Sequence, residues 1–404
     1  MTDRWAQRAS DAIPGGSSTG SKRPAVLWGE QADDASLPTH FERAAGCQVW
    51  TSDGRRFVDC TMALGAVGIG YADPQITAAV QRAAANGPVA GLPHRLEVEV
   101  AERLIDCIPS AEQVRFLRTG AEASAAAVRL ARTATGRSHI IACGYFGWLD
   151  WCSDAPGVPA SVQADVRWVP FGDVAALEAA VFAWQGTLAA IIIEPFIHDI
   201  ASMAWLQAAR SACDRTGAVL IFDEVKTAFR VRTGGVQELL RVVPDLTTIG
   251  KALANGYPLA AVVGRAAVME AATTTWISST AAAEATGLAA AQAVLDWHDQ
   301  VDVPTCMAEA GWKIQQVVQE VVQAHPELAV RVVGPPIMWR LEADRPALLD
   351  AAVAAAARAG VLLKRGAYQF AAMAHDDHAI DALAQALQGW AQHYIAPNHS
   401  RETT

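Results

Sequence analysis

The chain has 404 residues, of which 52% are hydrophobic, and its 32 basic and 42 acidic side chains give a formal net charge of −10. At roughly 100–200 residues per domain, this length allows two to three domains with a sizeable buried core. The acidic balance excludes a uniform basic face that would neutralise a phosphate backbone, so we do not expect nucleic-acid binding as the main role.

Cysteine usage and apolar patterning indicate the compartment. The 7 cysteines include no C-x-x-C pair, which favours free thiols in a reducing environment. The start, MTDRWAQRASDAIPGG, lacks the apolar core of an export signal. The most apolar stretch, residues 175–196, is interrupted by polar side chains, whereas a membrane span needs about 20 mostly apolar residues. We predict a soluble cytoplasmic protein with no membrane partner.

The predicted elements alternate between helix and strand after a loop-rich start. Apolar residues at i, i+3, i+4 and i+7 predict a helix around residues 101–108, and an alanine-rich helix follows at 122–135. Uninterrupted apolar runs are typical of strands covered on both faces. They occur at 139–143, 188–195, 218–224 and 259–264, and further helices are predicted at 302–323 and 347–360. The pattern predicts an α/β domain with a mostly parallel sheet over residues 51–295.

Two ionisable residues, Asp223 and Lys251, each follow an apolar run. Ligands of open α/β sheets bind at the carboxyl ends of strands, so the two could share a site. A neutral lysine amine forms a Schiff base with an aldehyde. If that aldehyde is pyridoxal phosphate, a buried carboxylate keeps its ring nitrogen protonated. On these two residues alone, a loop lysine and an acidic helix N-cap remain the commoner interpretation.

Other short motifs add weaker signals. The turn RTGAEA at 118–123 could bind a phosphate at a helix N-terminus, and Tyr145 in GYFGW could cover a ring or simply pack. Nucleotide motifs fail on spacing, because GAVGIG at 65–70 lacks the third glycine of GxGxxG and PDLTTIGK lacks the first glycine of a P-loop. His375 and His378 have no third ligand nearby, so we expect surface residues and no metal site.

Eight sequence blocks occur in one characteristic order. They are IPGG at 13, TGAEA at 119, GYFGW at 144, IIIEP at 191, LIFDEV at 220, GGVQE at 234, PDLTTIGKALANGYPLAAVVG at 244 and SST at 278. This order resembles the class III pyridoxal-phosphate aminotransferases, in the branch that contains glutamate-1-semialdehyde aminomutase. The resemblance covers about residues 13–385. It implies fold type I, with a mostly parallel seven-stranded sheet in a large domain (51–295) and a smaller α+β domain from both termini (1–50 and 296–404).

The resemblance also implies a site. Lys251 would hold the cofactor and then shuttle a proton, and Asp223 would pair with the ring nitrogen. The remaining implied cofactor contacts are Gly120 and Ala121 at the phosphate turn and Tyr145, Phe146 and Val225 around the ring. Ser279 and Thr280 lie in the block that donates a hydroxyl from the partner subunit. Glu194 belongs to the implied catalytic set as an orienting acid. The Thr280 match implies a homodimer with shared active sites.

Several positions depart from the family pattern. Ala121 stands where threonine is usual, Lys226 where methionine is commoner, and Leu64 where the aminomutase has a pocket tryptophan. Lys22 and Arg23 fall near the position of the aminomutase's carboxylate-binding arginine, although exposed loop cations would explain them equally. These departures favour a specialised ketone or aldehyde as acceptor.

The resemblance implies an enzyme with ping-pong aminotransferase activity through a Lys251 Schiff base, acting on a small-molecule amino donor and an oxo acceptor. Three alternatives stay open. An aminomutase would keep the amino group within one molecule, and a racemase or epimerase would return the proton to the opposite face. A cofactor-binding partner protein would show the Schiff base without turnover.

Overall fold

The computed structural model describes residues 4–395. The chain divides into two compact units, one formed by the chain up to Asp73 together with the chain from Thr305 onward, the other by Pro74–Pro304. The domain boundaries expected from the sequence, at 50/51 and 295/296, stay a prediction. Residues 1–3 and 396–404, which the predicted outer domains include, lie outside the described residues.

Strands and helices alternate along much of the chain. The strands are β1 (Phe41–Ala45), β2 (Gln48–Thr51), β3 (Arg56–Asp59), β4 (Gln113–Leu117), β5 (His139–Cys143), β6 (Val166–Trp168), β7 (Leu188–Ile193), β8 (Val219–Asp223), β9 (Leu246–Ile249), β10 (Ala260–Gly264), β11 (Val330–Val333), β12 (Met338–Ala343), β13 (Val361–Leu362) and β14 (Gln369–Phe370). The α-helices are α1 (Arg4–Ala12), α2 (Pro24–Trp28), α3 (Met62–Gly65), α4 (Pro74–Ala85), α5 (Arg95–Cys107), α6 (Gly120–Thr135), α7 (Ala160–Gln163), α8 (Val174–Trp184), α9 (Met203–Thr216), α10 (Val236–Leu240), α11 (Ala266–Met269), α12 (Ala285–Gln300), α13 (Val303–Ala324), α14 (Pro346–Arg358) and α15 (Asp377–Ile395). Short 3-10 helices cover Pro14–Gly16, Gly20–Lys22, Gly29–Gln31, Asp150–Cys152, Lys251–Ala254, Glu270–Thr273 and Pro326–Leu328.

The Pro74–Pro304 unit is built on a seven-stranded sheet with the order β4-β10-β9-β8-β7-β5-β6. Strands β5 to β9 pair in parallel, and β10 runs antiparallel to both β4 and β9. The predicted mostly parallel sheet of seven strands is therefore confirmed. Helices cover both of its faces, which explains why its strands are apolar at successive positions.

Strand β7 shows this double burial, since all six of its residues are buried. Ile192 packs in a cluster with Leu130 of α6 on one face. Ile191 packs with Trp205 and Leu206 of α9 on the other. The central strands thus form a fixed platform, and their carboxyl ends share one edge.

The start of α6 is fixed by local sequence. Thr119 is the N-cap, its side chain accepting the N–H of Glu122 at 3.2 Å, while the Glu122 side chain accepts the N–H of Thr119 at 2.9 Å. Such a reciprocal capping box stabilises helix initiation. At the other end, Gly136 closes the helix with φ of 65°. The helix N-terminus is therefore held immediately after β4.

The second unit contains a four-stranded sheet in the order β1-β2-β3-β13 and a three-stranded sheet in the order β11-β12-β14. Its α3 is a left-handed turn, with positive φ at Met62, Ala63 and Leu64. Because this unit draws on both ends of the chain, the predicted smaller α+β unit from both termini is confirmed.

His375 corrects one expectation. It was predicted to lie on the surface, but it is only 5% exposed. Its Nδ1 accepts the N–H of Ala372 at 3.0 Å, and its Nε2 lies 3.2 Å from the Asp59 carbonyl. The residue is a hydrogen-bonded core histidine, whereas His378 is exposed as expected.

Candidate active site

The candidate site lies at the carboxyl ends of four neighbouring strands. Tyr145 follows β5 by two residues, Glu194 directly follows β7, Asp223 ends β8 and Lys251 follows β9 by two residues. These strands are consecutive in the sheet and parallel. The topology therefore brings the predicted catalytic residues to one edge, where open α/β sheets bind ligands.

Lys251 has two unusual properties. Its φ of 50° places a non-glycine residue in the left-handed region, a conformation that costs roughly 1–3 kcal/mol and is concentrated at functional sites. Burial and the nearby positive charge of Lys226 lower the pKa of the Lys251 amine to about 8, although Glu194 and Asp223 oppose the shift. At neutral pH roughly a tenth of such amines are neutral, against about one in three thousand at the ordinary lysine pKa.

Asp223 is a buried carboxyl with two donors. The Ser124 hydroxyl donates to Oδ2 and the Val225 N–H donates to Oδ1, both at 3.0 Å. Burial, followed by the negative charge of Glu194, raises the pKa of Asp223 to about 7. A cation beside this carboxyl would restore its ionised form. A protonated pyridine nitrogen would supply that charge, so Asp223 fits a heterocyclic cofactor.

The N-terminus of α6 offers a backbone anion site. The first N–H groups of an α-helix have no partner within the helix, so Gly120 and Ala121 present donors suited to phosphate. A Cβ added to Gly120 would lie 2.8 Å from Cγ1 of Val225. Only glycine therefore lets α6 approach the β8 end this closely. The structure brings Gly120 and Val225 together, and their contacts with a cofactor stay predictions.

The loop after β5 is held by Glu194. The Glu194 Oε2 accepts the backbone N–H of Tyr145 at 3.1 Å, and a Cβ on Gly144 would collide with Cβ of Glu194. The Tyr145 side chain is 74% exposed, whereas Phe146 is 2% exposed and stacks on Trp168 with ring centroids 5.9 Å apart. Phe146 thus packs in the core, and the cofactor contact implied for it stays a prediction.

Ser279 and Thr280 lie in an exposed loop. Within residues 4–395 their side chains form no hydrogen bond, so this chain does not itself connect them to the strand-end residues. The loop borders a cavity of about 590 Å³ that segments 86–94 and 277–284 line. Their phosphate contact stays a prediction.

The predicted substrate residues lie in the other unit. Lys22 and Arg23 are exposed, and Leu64 is half-buried with φ of 60°. Their roles in substrate binding stay predictions. Among residues 4–395 there is no cluster of three or more His, Cys, Asp or Glu side chains that could hold a metal ion. Nor is any helix in that range long and apolar enough to cross a bilayer.

Two residues near the site were not predicted to act there. Ser124, which donates to Asp223, lies one helical turn after Gly120 in an alanine-rich helix, so its position on the Gly120 face was an available signal. Lys226 forms an ion pair with Glu194. The sequence marked it as a departure from the family pattern, but a lysine at this position gave no indication of its partner.

Comparison with known proteins identifies a matching family and similar curated proteins. The family described as aminotransferase class-III matches residues 30–153 and 154–389. A glutamate-1-semialdehyde 2,1-aminomutase of Symbiobacterium thermophilum is 40% identical over 253 residues, 58% of each chain. The chain spans less than two thirds of the length of such curated relatives.

Two solved structures are similar over almost their whole length. The pyridoxal-phosphate internal aldimine form of the FumI protein of Sphingopyxis sp. MTA144 superposes with a TM-score of 0.92 at 27% identity, covering 98% of this chain and 97% of that one. An omega-transaminase of Sphaerobacter thermophilus gives a TM-score of 0.86 at 25% identity and 96% coverage of both chains.

Proposed function

The chain belongs to the class III aminotransferase family, and from this we propose that it transfers an amino group from a small-molecule donor to a separate ketone or aldehyde acceptor, with pyridoxal 5′-phosphate as cofactor. One observation carries the proposal. Lys251, an amine with a lowered pKa, and Asp223, a buried acid with a raised pKa, lie at the ends of adjacent parallel strands. Relatives whose descriptions name pyridoxal phosphate or transaminase activity support it.

The residues present fit the cofactor. The N–H groups of Gly120 and Ala121 would hold the phosphate, Val225 would contact one ring face and Tyr145 the other, and Asp223 would pair with the ring nitrogen. When bound, pyridoxal phosphate supplies an electron-withdrawing ring that stabilises negative charge on the carbon beside the amino nitrogen.

Lys251 has two tasks in this proposal. Its neutral Nζ would hold the cofactor covalently through the cofactor's aldehyde carbon. With a donor bound, the same Nζ would serve as the base that moves the proton at the donor Cα. Both tasks need an unprotonated amine at neutral pH, which the lowered pKa of Lys251 favours. Glu194 orients the loop that carries Tyr145.

A homodimer with shared sites is part of the proposal. Leu92 and Trp276 are each 81% exposed and Val89 is 47% exposed, and all three lie in or next to the segments around Ser279 and Thr280. Large exposed apolar side chains grouped in this way are typical of protein interfaces. In a two-fold dimer, Thr280 of one subunit would complete the phosphate site of the other.

We also propose a cytoplasmic location. All 7 cysteines are free thiols, as is usual in a reducing compartment. Fractionation of cells that express the protein would test this.

A second candidate is an aminomutase, because the curated relatives carry that name. An aminomutase shifts the amino group within one molecule, whereas a transaminase releases an oxo product from the donor alone. The departures at Leu64 and Lys226 favour the transaminase.

Single-turnover assays distinguish the two. We expect cofactor-loaded protein, mixed with one amino donor at a time, to release one oxo product per active site, and a ¹⁵N-labelled donor to pass its label to a different acceptor molecule. Retention of the label within a rearranged donor would instead establish the aminomutase. Recovery of the donor with inverted configuration, with no oxo product, would establish racemisation.

A further inference from the structure

Lys226 and Glu194 form an ion pair at the strand ends. Glu194 directly follows β7, and Lys226 lies three residues beyond the end of the neighbouring β8. Their side chains are only 9% and 12% exposed. A buried ion pair loses much of its hydration, so forming it costs free energy unless its geometry is good. The presence of this pair is therefore better explained by a role at the site than by a gain in folding stability.

Further contacts fix this pair in place. The Lys226 Nζ lies 5.4 Å from the ring centroid of Phe196, within the range of a cation–π interaction. The second oxygen of Glu194, Oε2, accepts the backbone N–H of Tyr145 at 3.1 Å. A single carboxylate therefore connects Lys226 to the loop that carries the exposed Tyr145 ring.

We propose that Lys226 is a positioning residue, which holds the Glu194 carboxylate against the Tyr145 backbone and places a compensating positive charge near the Lys251 amine. This deepens the proposed function and rests on the proposed role of Lys251. It assigns a role to a residue at which this chain departs from the family pattern. Because Lys226 is already paired, its charge acts on the site's own residues and is not available as a clamp for a substrate anion.

The charges around Lys251 predict that substitutions of Lys226 and of Glu194 shift the pKa of Lys251 in opposite directions. Lys226 and Arg230 lower the pKa of Lys251, while Glu194 and Asp223 raise it. Replacing Lys226 by methionine removes a cation and leaves Glu194 uncompensated, so both effects raise the pKa of Lys251. Replacing Glu194 by glutamine leaves Lys226 uncompensated and lowers it.

The test measures the rate at which cofactor-free full-length protein binds pyridoxal 5′-phosphate covalently between pH 6 and 10. Absorbance follows the rate, and borohydride reduction with peptide mapping locates the bond. We expect the binding rate of the wild type, plotted against pH, to have its midpoint near pH 8. In Lys226→Met the midpoint should rise by about one pH unit, which makes attachment at pH 7 about tenfold slower. In Glu194→Gln the midpoint should fall.

Lys226→Met/Glu194→Gln is the matched control, since it removes both charges and retains an acceptor for the Tyr145 N–H. Its midpoint should return to within about half a pH unit of the wild type. General damage to the site cannot shift the midpoints of the two single variants in opposite directions. An unchanged midpoint in Lys226→Met, or shifts of both single variants in one direction, would therefore overturn the inference. Failure of the wild type to form the bond at Lys251 would instead refute the proposed function and this inference with it.

Discussion

At the scale of single residues, the site brings two pKa values that are ordinarily far apart close to each other. Burial lowers the pKa of Lys251 to about 8 and raises that of Asp223 to about 7. Both residues are thus brought near neutrality, where small charge changes alter their protonation. A cationic ring nitrogen beside Asp223 would ionise the carboxyl, so binding of the cofactor and the protonation of Asp223 are thermodynamically linked.

Asp223→Asn tests the role of this carboxyl. The amide keeps the shape and its single oxygen can still accept the N–H of Val225, but its NH₂ group cannot accept from Ser124 and cannot hold a positive charge on the ring nitrogen. We expect kcat to fall by roughly 10²–10³-fold, with a smaller change in cofactor affinity. Steady-state kinetics and cofactor titration measure the two effects separately. A variant with wild-type kcat would contradict the pairing.

The raised pKa of Asp223 also predicts a pH dependence of stability. The cofactor-free folded protein retains this proton up to about pH 7, whereas the ordinary pKa of the group is 3.8. The contribution of this protonated carboxyl to the free energy of unfolding is therefore fully present below pH 3.8. It is lost as pH rises through 7, for a total on the order of 4 kcal/mol.

Urea unfolding of the cofactor-free protein at pH 4.5 and 7.5 checks this. Asp223→Asn should show a smaller loss of unfolding free energy between the two pH values than the wild type does. Equal losses in both proteins would show that Asp223 titrates normally.

The positions of Lys251 and Asp223 at strand ends could be predicted from the sequence, because each comes at the end of a recognisable apolar run. Their roles are implied only by the family resemblance and stay predictions, and contacts between distant parts of the chain could not be predicted. Ser124 could not be assigned to Asp223 from the sequence alone, because 99 residues separate them. The burial of His375 could not be predicted for a similar reason, since its partner Asp59 is distant in the chain.

At the scale of elements, the β strands were predicted closely. The run at 139–143 coincides with β5, and the other three runs contain β7, β8 and β10. These strands are buried on both faces, so their apolar runs are continuous. The short strands β1 and β14 carry no such run, because they pair at the edges of smaller sheets. Burial on both faces thus accounts for these four runs.

The contact between α6 and the β8 end gives an element-scale prediction. Gly120→Ala places a Cβ against Val225, which should displace the helix N-terminus and weaken pyridoxal phosphate binding by about tenfold, the low end of the cost of overpacking. Val225→Ala in the same chain removes the obstructing methyl groups and should restore part of the affinity.

Gly389→Ala is the matched control. A Cβ at this position of α15 meets nothing within 4 Å, so the substitution should leave cofactor affinity unchanged while alanine's helix propensity favours the helix. Fluorescence titration with pyridoxal 5′-phosphate measures all four proteins. Unaltered affinity in Gly120→Ala would show that the α6 N-terminus does not bind the phosphate.

At the scale of the whole molecule, the proposed dimer predicts that the exposed segment around Leu92 is essential for assembly. Leu92→Glu places a charge in the proposed interface and should convert dimer to monomer in sedimentation-velocity experiments, with weaker cofactor binding because Thr280 no longer reaches the partner. Phe182→Glu is the control, since Phe182 on α8 is similarly exposed, at 77%. A monomeric wild type with full cofactor affinity would contradict shared sites.

The proposed chemistry depends on the amine of Lys251, and not that of nearby Lys226, forming the covalent bond with the cofactor. Borohydride reduction of the loaded protein followed by peptide mass spectrometry identifies the lysine that carries the bond. We predict one added pyridoxyl phosphate per chain, confined to the peptide containing Lys251 and absent from Lys251→Ala. Modification of Lys226 instead, or an undiminished yield in Lys251→Ala, would contradict the role proposed for Lys251.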